Sequence, residues 1–117
     1  MKAFLTLIAT IVATSLLASD VEIVNVQATQ SGTTWRFDVT LRHADSGWDH
    51  YADGWEVLTP DGVSLGMRVL AHPHEHEQPF TRSLGGVEIP TGLSHVVIRA
   101  RDNVDGWAEA MFRFDIP

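Results

Sequence analysis

The 117-residue sequence contains no cysteine, so no disulfide can staple the fold and no thiolate can serve as nucleophile or metal ligand. It has one lysine, Lys2, and every other cationic side chain is an arginine. With fifteen acidic residues against eight basic ones, the formal net charge is -7, which disfavours nonspecific binding to nucleic acid or to an anionic bilayer and suits cations. Glycine-rich phosphate-binding patterns are absent, neither Ser46 nor Ser83 sits in a nucleophile elbow, and no HExxH occurs. The sequence therefore offers no grounds for a nucleotide site, a serine hydrolase or a zincin, and no organic cofactor is indicated. Helical periodicity is also lacking.

What is present starts with Lys2 and an almost unbroken apolar run over 3–18. A positive start, an apolar stretch and a polar exit predict a secretory signal peptide over 1–18, with Ser19 as first mature residue, although Leu16 is larger than the small residue expected two positions before the cut. The run falls short of the ~20 residues needed to cross a bilayer, and no cysteine is available for a lipid anchor. The expectation is a periplasmic or secreted chain, not inserted in a membrane, with one domain over 19–117. Loss of Lys2 would take the charge to -8, seven arginines then facing the same fifteen acids. Without disulfides, so small a domain must be held by its core.

The remainder reads as short strands between turns. Residues 21–28 carry β-branched side chains with partial alternation. In TTWRFDVTLRH, residues Trp35, Phe37, Val39 and Leu41 share one face and Arg36, Asp38, Thr40 and Arg42 the other, which is the clearest half-buried strand. Further strands begin at Trp55 and Val57, at Leu65 to Val69, at Phe80, at Val96 and at Ala110. Pro60-Asp61-Gly62 and 90–94 supply turns, while Gly85-Gly86 marks a bulge or bend. About seven strands without a helix predict an all-β, immunoglobulin-like or fibronectin-like sandwich, with a small open barrel as the alternative. If successive strands alternate in direction, the bland turns fall at one end. The loops HADSGWDHYAD, HPHEHEQ and DNVDGW then gather at the other, as a site borne on a rigid scaffold would.

Five of the six histidines lie in the first two of those loops. Imidazole binds Cu, Zn, Ni or Fe, and carboxylates complete the sphere or orient the rings. The candidate ligands are His43, His50, His72, His74, His76, Asp45 and Asp49, with Glu75, Glu77, Arg82, Asp102 and Asp105 as loop support. Asp53 is a further oxygen donor in the first loop. Cu(II) or Zn(II) is favoured over soft Cu(I), because cysteine is absent and no methionine pattern accompanies the histidines. Calcium fits less well, since Asp45, Asp49 and Asp53 lack the terminal glutamate of an EF-hand. The competing reading is a polar loop network in which the acids accept backbone hydrogen bonds. Arg82 is expected to pair with Glu75 or Glu77, His95 falls at the opposite end, and Trp55 is expected in the core. Trp48, Tyr51 and Trp107 could instead line a surface for a periplasmic protein or other ligand. A metal-assisted hydrolase ranks last, because no substrate signature accompanies the histidines.

The segments GWDHYADGWEVLTPDG, RVLAHPHEHEQPFTRSLGGVEIP and VVIRARDNVDGW together resemble a group of small uncharacterised exported proteins of Gram-negative bacteria. That resemblance covers nearly all of the mature chain and implies a periplasmic location, without an activity.

Overall fold

A computed structural model describes residues 18–117. The expected signal segment, apart from Ala18, lies outside the described residues. The strand announced by alternation forms as β2 (Thr34–Arg42), with Phe37, Val39 and Leu41 fully buried and Arg36 and Arg42 exposed. It pairs antiparallel with β1 (Glu22–Ser31) on one side and β5 (Phe80–Val87) on the other, giving a three-stranded sheet ordered β1-β2-β5. The Gly85-Gly86 pair is a bulge. Leu84 and Val87 face Phe37 and Trp35, so two glycines oppose Arg36 alone, and Gly86 takes a φ of 67° that favours glycine.

The second sheet contains β4 (Ser64–Val69), β3 (Ala52–Leu58), β6 (His95–Asp102) and β7 (Gly106–Trp107) in that order, with β8 (Phe112–Asp115) also pairing with β6. The sheets do not close into a barrel, so the sandwich is the architecture formed. Eight strands are seen among the described residues, the addition being the two-residue β7. No helix among these residues is long and apolar enough to cross a membrane.

Between the sheets lie Trp55, Phe37, Phe80, Leu41, Ile98, Val39 and Val57, all buried. Fully burying a large apolar side chain contributes roughly 1.5–3 kcal/mol, and these residues hold the domain without disulfides. On β6 the inward row runs Val96, Ile98, Ala100 and then Asp102, each buried. One more inward step past Leu41 on β2 brings His43, which is also buried. Both sheets therefore end their apolar rows in a polar group at the same end of the sandwich.

Candidate metal centre

The β2–β3 loop begins with the pair His43 and Asp45. Asp45 has no exposed side-chain surface. Its Oδ1 accepts from the Ala52 N–H at 2.9 Å and lies 2.6 Å from His43 Nδ1, while its Oδ2 accepts from the His74 N–H at 2.8 Å. An ionised carboxylate only accepts, so the proton of this contact sits on Nδ1 and His43 Nε2 is left to face the neighbouring groups. A histidine oriented by a carboxylate at one nitrogen while the other meets a metal is the common arrangement of metal-bound imidazoles.

His50 reaches the same point from the far end of that loop. A tight turn holds it, with Ser46 N–H donating to His50 O at 2.9 Å and His50 N–H to Gly47 O at 3.2 Å. Gly47 has a φ of 118°, and a Cβ there would stand 3.3 Å from Glu75 Oε1. Asn103 fastens the loop to the β6–β7 turn by accepting from Tyr51 N–H at 2.8 Å and donating to Trp48 O at 3.0 Å. The His43 and His50 rings meet edge to face with centroids 4.9 Å apart.

Asp102 completes the group. Its Oδ1 accepts the N–H groups of Val104 and Asp105 at 2.8 and 2.7 Å, capping the turn that follows β6. Burial pushes its carboxyl pKa up. The Asp105 N–H, the neighbouring Ser19 hydroxyl, the Val104 N–H and His50 together outweigh that effect and hold it below its ordinary 3.8. The group is therefore an anion at neutral pH. His50 Nε2 stands 3.4 Å from Asp102 Oδ1, and His43 Nε2 stands 3.7 Å from Asp102 Oδ2. One donor atom each from His43, His50 and Asp102 lies within 4.8 Å of the others. Bonds of ~2.0–2.1 Å to a tetrahedral ion would place its ligand atoms roughly 3.3 Å apart, against an upper bound of 4.8 Å here, so the donors would draw together on binding. His50 Nε2 and Asp102 Oδ2 are both buried without a hydrogen-bond partner, a costly arrangement unless a cation satisfies them.

The HPHEHE run forms a separate cluster. His74 turns inward, stacks on Phe80 with centroids 4.0 Å apart, and its Nε2 accepts from Arg82 Nη2 at 2.7 Å. Burial, then the Arg82 and His72 charges, hold its pKa below the ordinary 6.5 against the opposing pull of Glu77 and Asp45. His72 packs on the His74 ring at 4.6 Å and is exposed, as are His76, Glu75 and Asp49. Arg82 lies 3.5 Å from Glu77. Gln78 ties the clusters together, accepting from His43 N–H at 3.1 Å and donating to His74 O at 2.9 Å.

The structure thus joins His43 and His50 to Asp102, with Asp105 Oδ2 3.6 Å from His50 Nε2, and sets Asp45 behind His43. It does not bring His72, His74 or His76 to that point. Two residues outside the sequence candidates matter: Asp20, with Oδ1 3.0 Å from His43 Nε2, and Gln78. No sequence pattern marks Asp20, whereas the inward row of β6 does mark Asp102. His95 lies at the opposite end beside Ser94 Oγ. Trp48 is two-thirds exposed, and Trp107 lies under the Arg99 guanidinium at 3.8 Å.

No family model matches the chain, and no solved structure gives a significant match. A protein of the archaeon Halomicrobium mukohataei, named "Putative lipoprotein", is 46% identical to it over 76 residues, which is 65% of this chain and 37% of that protein. The chain therefore spans little more than a third of that relative's length. The likeness extends to an archaeon and gives no support for a restriction to Gram-negative bacteria.

Proposed function

We propose that this chain is an exported protein that binds one divalent transition-metal ion through His43, His50 and Asp102. The observation that carries the reading is the convergence of those three donors at 4.8 Å or less, with Asp102 Oδ2 and His50 Nε2 buried and unpartnered. Two imidazoles and a carboxylate suit Zn(II) or Cu(II). Calcium prefers six to eight oxygens, and Cu(I) prefers sulfur. Location outside the cytoplasm, in a periplasm or beyond it, is supported by Lys2 with the apolar run over 3–18 and by the lipoprotein name of the archaeal relative. Because the donors come from the β2–β3 loop and the end of β6, the ion would lock the loop end while leaving the sandwich itself to its core.

Calorimetric titration of metal-free protein with Zn(II) and Cu(II) tests the reading, alongside His50→Ala and Asp102→Asn. One ion per chain in the wild type, weakened about 10-fold or more in each variant, is expected. Saturable binding unaltered in both variants would place the metal elsewhere, and no binding would leave the centre a polar hydrogen-bonded network. A second reading, a non-enzymatic protein- or ligand-binding module, draws on the exposed Trp48 beside the site. That reading requires a partner that binds equally well in the presence of a chelator.

A further inference from the structure

Trp48 is 66% exposed and yet firmly held. It sits in the tight turn closed by Ser46, Gly47 and His50, its carbonyl accepts from Asn103 Nδ2 at 3.0 Å, and its ring meets Tyr51 edge to face with centroids 5.7 Å apart. Val104, next in sequence to the Asn103 that fastens this turn, is 60% exposed. An indole presented on a rigid loop loses little conformational freedom when a partner covers it, and tryptophan is enriched at the centres of interfaces.

The charge around this ring is one-sided. Six of the seven arginines each bridge a carboxylate, which leaves nine of the fifteen acids without an arginine among the described residues. Asp61 and Glu88 lie at the opposite end and Glu109 follows β7, whereas the other six, Asp20, Asp45, Asp49, Glu75, Asp102 and Asp105, all belong to the loop end. Asp49 follows Trp48 directly, Glu75 Oε1 reaches Gly47 on its other side, and Asp105 Oδ2 is 3.6 Å from His50 Nε2. A divalent ion offsets only two of those six charges, so this end is anionic with or without one. The outer face of the larger sheet shows what a ring beside a carboxylate takes in this protein. Arg99 lies 3.8 Å over Trp107 while donating to Glu56 at 2.6 and 2.8 Å, and Arg101, 5.3 Å from the same ring, donates to Asp53 at 2.9 Å. Trp48 has the ring and the neighbouring carboxylate, and among the described residues no arginine lies over it.

We infer, on the basis of the binding-module reading above, that the loop end docks an arginine-bearing segment of another protein, with a guanidinium on the exposed Trp48 ring and the exposed carboxylates of Asp49, Glu75 and Asp105 receiving its cationic charge. Arginine suits this surface better than lysine, because its planar fork stacks on an aromatic face and bonds a carboxylate in two places. The field of the acidic end draws such a segment in from a distance and repels nucleic acid and other anions. A neutral ligand such as a sugar would use the ring and not the charge.

The test follows the amide and indole NMR signals of the isotope-labelled protein, with chelator present so that no metal contributes. The probes are a synthetic peptide of alternating arginine and glycine, the same peptide with glutamate for arginine, and maltohexaose as a neutral ligand. The variants are Trp48→Ala, which also assigns the Trp48 indole signal, Asp49→Asn with Asp105→Asn, and, as a control at the opposite end, Asp61→Asn with Glu88→Gln. The arginine peptide should shift the Trp48 indole and the Tyr51 and Val104 amides to saturation, and the glutamate peptide should not bind. Affinity should fall about 3-fold or more in Trp48→Ala and in the loop-end double variant, and should hold in the control. Equal weakening in the two double variants would reduce the effect to diffuse attraction by an acidic chain and overturn the inference, as would no binding of the arginine peptide. In that last case a Trp48 shift with maltohexaose would spare the binding-module reading, and no shift with any probe would remove both.

Discussion

Asp45 joins three parts of the chain, and its removal has a calculable cost. The carboxylate has no exposed surface and accepts from Ala52 N–H, from His74 N–H and from the His43 ring. Asp45→Ala leaves all three donors buried without an acceptor. An unsatisfied buried donor costs about 1–3 kcal/mol, and breaking a buried charged contact by deleting one partner costs about 3–5 kcal/mol. We expect a loss of about 3–5 kcal/mol, a large share of the roughly 5–15 kcal/mol that holds an ordinary domain. Asp45→Asn keeps one acceptor oxygen for His43 and Ala52 but turns an amide N–H2 toward the His74 N–H, so about 1–3 kcal/mol is expected. Urea unfolding in the presence of a chelator, followed by tryptophan fluorescence, measures both losses through a shared denaturant slope. A loss within about 0.5 kcal/mol for Asp45→Ala, the range of an ordinary surface substitution, would refute the claim that this carboxylate pins the two histidine loops together.

His74 gives a pH prediction. Burial, then Arg82 and His72, depress its pKa below 6.5, so the folded protein takes up its proton less readily than the unfolded chain. The stability this contributes is present above 6.5 and is lost as pH falls toward the folded value. Urea midpoints should therefore drop less between about pH 7 and about pH 5 in His74→Gln than in the wild type, and equal drops would contradict the assignment. Gly54→Ala puts a Cβ 2.8 Å from Met67 Cε and 3.2 Å from Arg68 O. The methionine can move, whereas the carbonyl belongs to the paired strand β4, so a loss of about 1–3 kcal/mol is expected. Met67→Ala in that background should restore only part of the lost unfolding free energy. Trp107→Ala removes the ring 3.8 Å beneath the Arg99 guanidinium, for a loss of about 1–2 kcal/mol by urea titration. No loss there would mean that the stacking is incidental.

Much of the fold was legible because one face of each principal strand is buried. Phe37, Val39 and Leu41 alternate with Asp38, Thr40 and Arg42, and the core follows that alternation. The turns at Gly62 and Gly92 carry φ of 91° and 94°, where Pro60-Asp61-Gly62 and the 90–94 segment had placed them. Two-residue β7 left no periodic trace. Loop segregation followed from strand direction, and the bonds from Asp45 to His74 and from Asn103 to Tyr51 join those three loops. What sequence could not give was which side chains meet inside that end. His74 points inward because Phe80 offers a ring to stack on and Arg82 a donor, both tertiary circumstances. Asp20 reaches His43 only because Ser19 and Val21 are anchored to distant strands. Asp102 entered the sequence reading only as loop support; the inward row Val96, Ile98 and Ala100 that it continues is the signal that would have marked it as a ligand.

The most direct test of the metal centre is anomalous diffraction at the zinc edge from crystals of the protein grown with one equivalent of zinc. The account predicts a single peak with bonds of about 2.0–2.2 Å to His43 Nε2, His50 Nε2 and an Asp102 oxygen. A peak on His72 or His76 instead, or no zinc retained, would contradict it.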